Sequence, residues 1–157
     1  MADTHMPPGV RRLPAECLRR LKEADLILHA GDFVALGVFE ELQELAPVEA
    51  VRGNMDEPEL CEVLPERRVV QVEEVRIGMV HVPGPAVGRQ ERLTAAFPRC
   101  EAVVYGHTHL PEVARLGERW VLNPGSPTER RGAPAHSMLV LEIDSSQLRP
   151  ELVTLST

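Results

Sequence analysis

Apolar residues recur along this chain with two alternating periods. In "LPAECLRRLK", residues 13–22, Leu13, Cys17, Leu18 and Leu21 fall on one stripe with arginines opposite, which predicts a helix. "ADLILHAGD" (24–32) is a short apolar run that closes on a glycine, and reads as a buried strand. "LGVFEELQEL" (36–45) returns to helical spacing, with Leu36, Phe39, Leu42 and Leu45 at three-residue steps. "PVEAVRGN" (47–54) is another strand stopping at a glycine. Strand, helix and strand in succession imply a parallel sheet with crossover helices.

The middle of the chain changes rhythm. "RRVVQVEEVRIGMVHV" (67–82) holds two short runs joined near Glu73 and Glu74, the pattern of a hairpin. A helix is expected over "RQERLTAAF" (89–97), a strand over "CEAVVYG" (100–106), and a second hairpin over "EVARLGERWVLN" (112–123) turning at Leu116, Gly117 and Glu118. "HSMLVLEI" (136–143) is a nearly unbroken apolar strand, and "ELVTLS" (151–156) reads as a last edge strand. The whole predicts an α/β fold of mixed sheets with helices outside, in one domain spanning residues 1–157.

Composition narrows the function. The net charge is −7, with both signs interspersed, so the surface repels phosphodiester backbones and nucleic-acid binding is disfavoured. A small phosphorylated substrate drawn in by metal ions stays compatible with that charge. No apolar run approaches the length needed to cross a bilayer, and no signal segment opens the chain. Cys17, Cys61 and Cys100 are odd in number and widely spaced, which argues against a disulfide framework and for the cytoplasm. The oligomeric state is left open, a homo-oligomer included.

In open α/β sheets ligands bind beyond the C-terminal ends of strands. Those ends carry Asp32 in "HAGD", Asn54 in "VRGN", His81 in "GMVH", and His107 with His109 in "VYGHTH". Three of the four ends place a glycine directly before the ligand-capable residue, where the backbone can turn tightly and approach a ligand. Taken singly each has a structural use: Asp32 as a helix cap, Asn54 as a turn residue, His81 as a hydrogen-bonded strand end. Together they point to a metal site, and their mix of oxygen and imidazole suits manganese, iron or zinc better than calcium. Asp3 and His5 form a D-x-H triplet at the very start, and on an extended backbone both would face one side. His29 and His136 are expected to be structural.

The order D-x-H, G-D, G-N, H, G-H-x-H, followed by "NPGS" at 123–126, resembles the calcineurin-like metallophosphoesterase superfamily, in particular its small prokaryotic YfcE-type phosphodiesterase branch. The resemblance implies an αββα sandwich, two mixed sheets face to face with helices outside, and two divalent ions per chain, most readily manganese, with iron, zinc or nickel as alternatives. It implies one ion held by Asp3, His5, Asp32 and His109, and another by Asp32, Asn54, His81 and His107. It further implies hydrolysis of a small phosphoester by a hydroxide bridging the two ions.

Three departures from that pattern set expectations of their own. The family has a whole apolar strand before D-x-H, whereas only Met1 and Ala2 precede Asp3 here. The first strand is therefore expected to be truncated by about five to ten residues, leaving Asp3 and His5 on a loose end and the first ion weakly held. Met55 stands where a proton-donating histidine follows the Asn ligand in larger relatives, with Asp56 as an auxiliary candidate. Pro83 replaces a second histidine near His81. These departures keep a rival in view: a non-catalytic metal-binding scaffold of the same fold, as in the retromer subunit.

Overall fold

The computed structural model describes residues 1–7 and 9–156. Its elements follow in the order α1 (Ala15–Glu23), β1 (Ile27–His29), α2 (Leu36–Gln43), β2 (Val48–Ala50), α3 (Pro58–Val63), β3 (Arg67–Val72), β4 (Val75–Val80), α4 (Arg89–Ala96), β5 (Ala102–Tyr105), β6 (Glu112–Leu116), β7 (Arg119–Asn123), β8 (His136–Asp144) and β9 (Gln147–Leu155). No helix among them is long and apolar enough to cross a membrane.

Two layers of strand face each other. One is a five-stranded mixed sheet in the order β3-β4-β5-β7-β6. The other comprises two ribbons, the parallel pair β1-β2 and the antiparallel pair β8-β9. Ala30 and Val51 of the ribbon layer pack with Ile77, Met79, Val104 and Leu122 of the five-stranded sheet, forming the core between layers. Cys17 and Leu21 of α1, Val38 and Leu42 of α2, and Leu60 of α3 cover the outer face of the ribbon layer. Leu93 and Phe97, in and just after α4, cover the outer face of the other sheet against Val103 and Val121. This is the αββα arrangement that the family resemblance implies, with one sheet divided into two ribbons.

Both hairpins turn where expected. Val72 pairs with Val75 across Glu73 and Glu74, and Leu116 pairs with Arg119 across Gly117 and Glu118. Two elements differ. α3 has no apolar stripe long enough to announce it; Pro58 opens it, and the fully buried Leu60 anchors its single turn and a half. β9 begins four residues earlier than the sequence suggests, because Pro150 looks like a break. It instead pairs with Leu141, and an edge strand tolerates the missing N–H.

The N-terminus is the main correction. Residues 1–6 are not loose but run parallel to residues 28–34. The Met1 nitrogen donates to Leu28 O, Ala30 N–H to Met1 O, Asp3 N–H to Gly31 O, and Met6 N–H to Phe33 O. Met1 and Met6 enter the helix-side core and Ala2 the inter-sheet core, so the segment is clamped from both faces. Asp3 is fully buried and His5 only 5% exposed.

Candidate metal centre

The chain ends that leave β1, β2, β4 and β5 meet the N-terminal segment at one place. All seven residues singled out in the sequence, Asp3, His5, Asp32, Asn54, His81, His107 and His109, converge there. Asp32 is the hinge of the cluster. Its Oδ2 lies 3.2 Å from His5 Nε2 and 3.2 Å from His81 Nε2, while Oδ1 accepts the Met55 N–H at 2.8 Å. On one side stand Asp3, His5 and His109, with His109 Nε2 3.5 Å and His5 Nε2 3.8 Å from Asp3 Oδ1. On the other, Asn54 Oδ1 lies 3.0 Å from His81 Nε2 and 2.9 Å from His107 Nδ1.

The expectation of an extended backbone at D-x-H is corrected. Neither D-x-H nor H-x-H is extended. Asp3, His5, Asp32, His107 and His109 all have positive φ, between 39° and 72°. Left-handed backbone at five of seven positions is strain that a packed surround must hold in place. His107 and His109 accordingly do not share a side: His107 is exposed beside Asn54, and His109 is buried beside Asp3.

Glycine makes the convergence sterically feasible. A Cβ on Gly53 would lie 2.0 Å from Asp32 Oδ1, and one on Gly31 would lie 2.9 Å from His81 Nδ1. At Gly31 a φ of +93° adds a conformational demand that side-chain-bearing residues rarely meet.

The imidazoles are oriented from behind. His81 Nδ1 sits 2.7 Å from Ala30 O, and His109 Nδ1 contacts Glu129 O. A carbonyl oxygen only accepts, so each Nδ1 carries the proton and each Nε2 points inward. His5 Nδ1 faces the Glu129 carboxylate at 3.5 Å. In the neutral ring Nε2 is a lone pair, and here it meets carboxylate and amide oxygens that are acceptors too. Nε2 of His5 and of His109 are buried without a hydrogen-bond partner among the described residues. Such a facing set of lone pairs is electrostatically reasonable only with protons or cations between them.

Protons on His5 and His81 fill that role in part in the ion-free chain. Burial by itself lowers the His5 pKa, but Asp3 and Asp32 override it and push it up to about 9. His81 is raised in the same way, burial being outweighed mainly by Asp32. Burial would raise Asp32, yet His5, His81 and the Met55 N–H hold it well below the ordinary carboxylate range. Burial keeps His109 lowered despite the Glu129 carbonyl. Two groups of acidic and imidazole ligand atoms lie close enough to hold an ion, Asp3 with His5 and His109, and Asp3 with Asp32 and His81.

Several residues that brace the centre were not legible in the sequence. Glu129 touches both His5 and His109, by its carboxylate and its carbonyl respectively, and is itself held by Arg11. In "NPGS", Asn123 ties Gly106 O to the Thr108 hydroxyl, and the Ser126 hydroxyl donates to Asp3 O. Asp56, the auxiliary candidate, is committed elsewhere: its oxygens accept the N–H groups of Asp32, Val34 and Gly53. It shapes the loops under the site and is not poised over a leaving group. His29 is structural as expected, accepting the Gly31 N–H and stacking on Phe33 in full burial.

The profile of the calcineurin-like phosphoesterase superfamily domain matches residues 1–146. The chain belongs to that superfamily. Among its curated relatives, a probable metallophosphoesterase of Methanothermobacter thermautotrophicus is 36% identical over 155 residues, covering 98% of this chain and 89% of that protein. A Thermotoga maritima protein solved by NMR is 36% identical with a TM-score of 0.73, covering 98% and 97% of the two chains. Vps29 of Entamoeba histolytica, crystallised with Zn2+, is 26% identical with a TM-score of 0.77, covering 98% and 96%. The phosphoesterase family binds divalent metals, which the candidate ligand groups of this site fit, and Vps29 shares the mixed α/β fold of the chain.

Proposed function

We propose that this chain is a divalent-metal-dependent phosphodiesterase that hydrolyses a small phosphoester at the Asp32 centre. The observation that carries the reading is the ring of inward Nε2 lone pairs and carboxylate oxygens around Asp32 Oδ2. Asp3, His5, Asp32 and His109 would hold one ion; Asp32, Asn54, His81 and His107 would hold the other. The neutral imidazoles and the Asn54 amide limit negative charge, which favours manganese, with iron, zinc or nickel as alternatives. When bound, the ions polarise phosphate oxygens and make water acidic enough to supply a nucleophile at neutral pH.

The residues of the chain do the positioning. Asp32 presents one oxygen to both halves of the site while Met55 N–H fixes the other. Glu129 O and Ala30 O set the tautomers of His109 and His81 and so aim their lone pairs. Met55, Val82 and Leu110 directly follow Asn54, His81 and His109, and are 55%, 50% and 50% exposed. Their apolar surface suits the organic arm of a diester. Met55 cannot donate a proton, so leaving groups that depart as stable anions, such as aryl oxides, are favoured. The three free thiols suit a reducing compartment, the cytoplasm.

A second reading has specific support. The likeness to Vps29, together with Met55 and Pro83 at positions where the family resemblance expects histidine, favours a metal-binding scaffold with a protein partner. Turnover of a bis-aryl phosphodiester with manganese, beside Asp32→Ala, separates the two. Metal-dependent hydrolysis abolished by the substitution supports the enzyme; equal background rates in both proteins overturn it.

A further inference from the structure

The two halves of the mouth of the Asp32 centre carry different chemistry. Beside Asn54 and His81 it is apolar, since Met55 and Val82 follow those residues and stand about half exposed. Beside His5 and His109 it is charged. Glu129 contacts His109 through its carbonyl oxygen and faces His5 Nδ1 with its carboxylate Oε2 at 3.5 Å. The Arg131 guanidinium stands on the same Oε2, with Nη2 3.8 Å away. Side-chain exposure rises along that line, from 6% for His5 through 27% for Glu129 to 51% for Arg131. Arg131 is thus at the rim of the centre, one carboxylate away from its buried wall.

Neighbouring arginines are spent on the protein itself. Arg11 donates to His5 O and to Glu129 Oε1, and Arg130 donates to Ala133 O. In the loop after His81, Arg92 donates to Pro83 O and Pro85 O, and Arg89 to Gly84 O. The Arg131 guanidinium makes no hydrogen bond among the described residues, and its 3.8 Å to Glu129 is beyond hydrogen-bond reach. An ion pair of that length and exposure contributes little to stability, so holding the fold does not account for it. Arg11 already pairs with the same carboxylate, so two guanidiniums face one Glu129 and positive charge is in surplus, in a chain whose net charge is −7. An unengaged guanidinium presents a planar fork of donors that fits a carboxylate or a phosphate.

We propose that Arg131 recognises an anionic group on the arm of the substrate. The substrate class is then a phosphoester that carries a second anionic oxygen group, a carboxylate or another phosphate, within a few bonds of the ester phosphorus. The proposal rests on the reading of the Asp32 centre as a phosphoester site, and adds which esters it selects. With the ester phosphate at the centre, Arg131 reaches the further group and discriminates among substrates without touching the reacting atoms. Met55 and Val82 offer that group no partner on the opposite half, so the arm has one orientation in which its charge is met. An arm that is neutral throughout gains nothing from Arg131.

The test is calorimetric binding of phosphonates, which resist hydrolysis, to the manganese-loaded protein. Phosphonocarboxylates and diphosphonates with arms of two to four carbons are compared with alkylphosphonates of equal length. The best charged probe should bind roughly fivefold or more tightly than its neutral counterpart, and that ratio should shrink as salt rises. Arg131→Gln should bring the ratio near one, and Arg131→Lys should restore part of it. Whether carboxylate or phosphonate ends bind more tightly names the source of the anion, and either supports the proposal. Equal affinities for charged and neutral probes, or a preference that survives Arg131→Gln, overturns it. A preference lost in Arg131→Gln, in a protein that does not turn over the bis-aryl diester, upholds the proposal and overturns hydrolysis alone.

Discussion

The Nε2 atom of His5 stands 3.2 Å from Oδ2 of Asp32, and both side chains are almost wholly buried. The contact joins the N-terminal segment to the loop after β1, and it places a basic nitrogen and a carboxylate where an ion would bind both. Because Oδ2 is equally close to His81, Asp32 couples the two halves of the site.

Asp32→Asn should therefore disable both halves, not one. The expected outcome is a loss of roughly 10³-fold or more in metal-dependent turnover, with bound metal reduced well below that of His107→Ala. Metal analysis of both purified variants, with circular dichroism to check folding, measures this.

Metal binding should release protons. With its pKa raised from 6.5 to about 9, His5 is protonated at pH 7 and must lose that proton to become a ligand. Calorimetry in buffers of different ionisation enthalpy should show release of roughly one proton or more per chain at pH 7, falling as pH rises through about 9. The ion-free chain has the opposite preference. The His5–Asp32 pair stabilises it fully below pH 6.5, and that contribution is lost as pH rises through about 9. Asp32, held below its ordinary value of 3.8, makes its own contribution above that pH and loses it in acid. Urea titrations of chelator-treated protein at pH 7 and pH 10 read the alkaline loss.

Glu129→Gln should weaken metal binding by about 10–100-fold while leaving the fold intact, because the carboxylate backs His5 from the side away from Asp32. Its carbonyl contact to His109 survives the substitution, so the loss should fall on one ion more than on the other. A competitive chelator titration resolves the two.

Gly53→Ala should cost roughly 2 kcal/mol or more of stability, since the new methyl would fall 2.0 Å from Asp32 Oδ1 and the loop would have to move. Gly37→Ala, in α2 with open space around the position, is the control and should be neutral or slightly stabilising. Urea denaturation of both variants gives the comparison.

Much of this architecture was readable because its elements obey their periods. The stripe of Cys17 and Leu21, the parallel β1 and β2, and the paired hairpins all follow from apolar spacing. The convergence of the candidate residues was readable because strand ends in such sheets face one edge. What stayed hidden depends on tertiary context. α3 is held by one buried leucine after a proline, and β9 runs through Pro150, which only the edge position permits. The left-handed backbone at five of the seven candidate positions is imposed by packing and carries no sequence mark beyond Asp and His themselves. Glu129 lies far along the chain from His5 and looks like an ordinary surface glutamate until the fold brings them within 3.5 Å.

A crystal structure grown with manganese, using anomalous scattering to locate the ions, tests whether Asp32 organises two cations. The expected map holds two peaks sharing Asp32, one also bound by Asp3, His5 and His109, the other by Asn54, His81 and His107. A single peak, or ions that leave Asp32 uncoordinated, would contradict the two-ion centre.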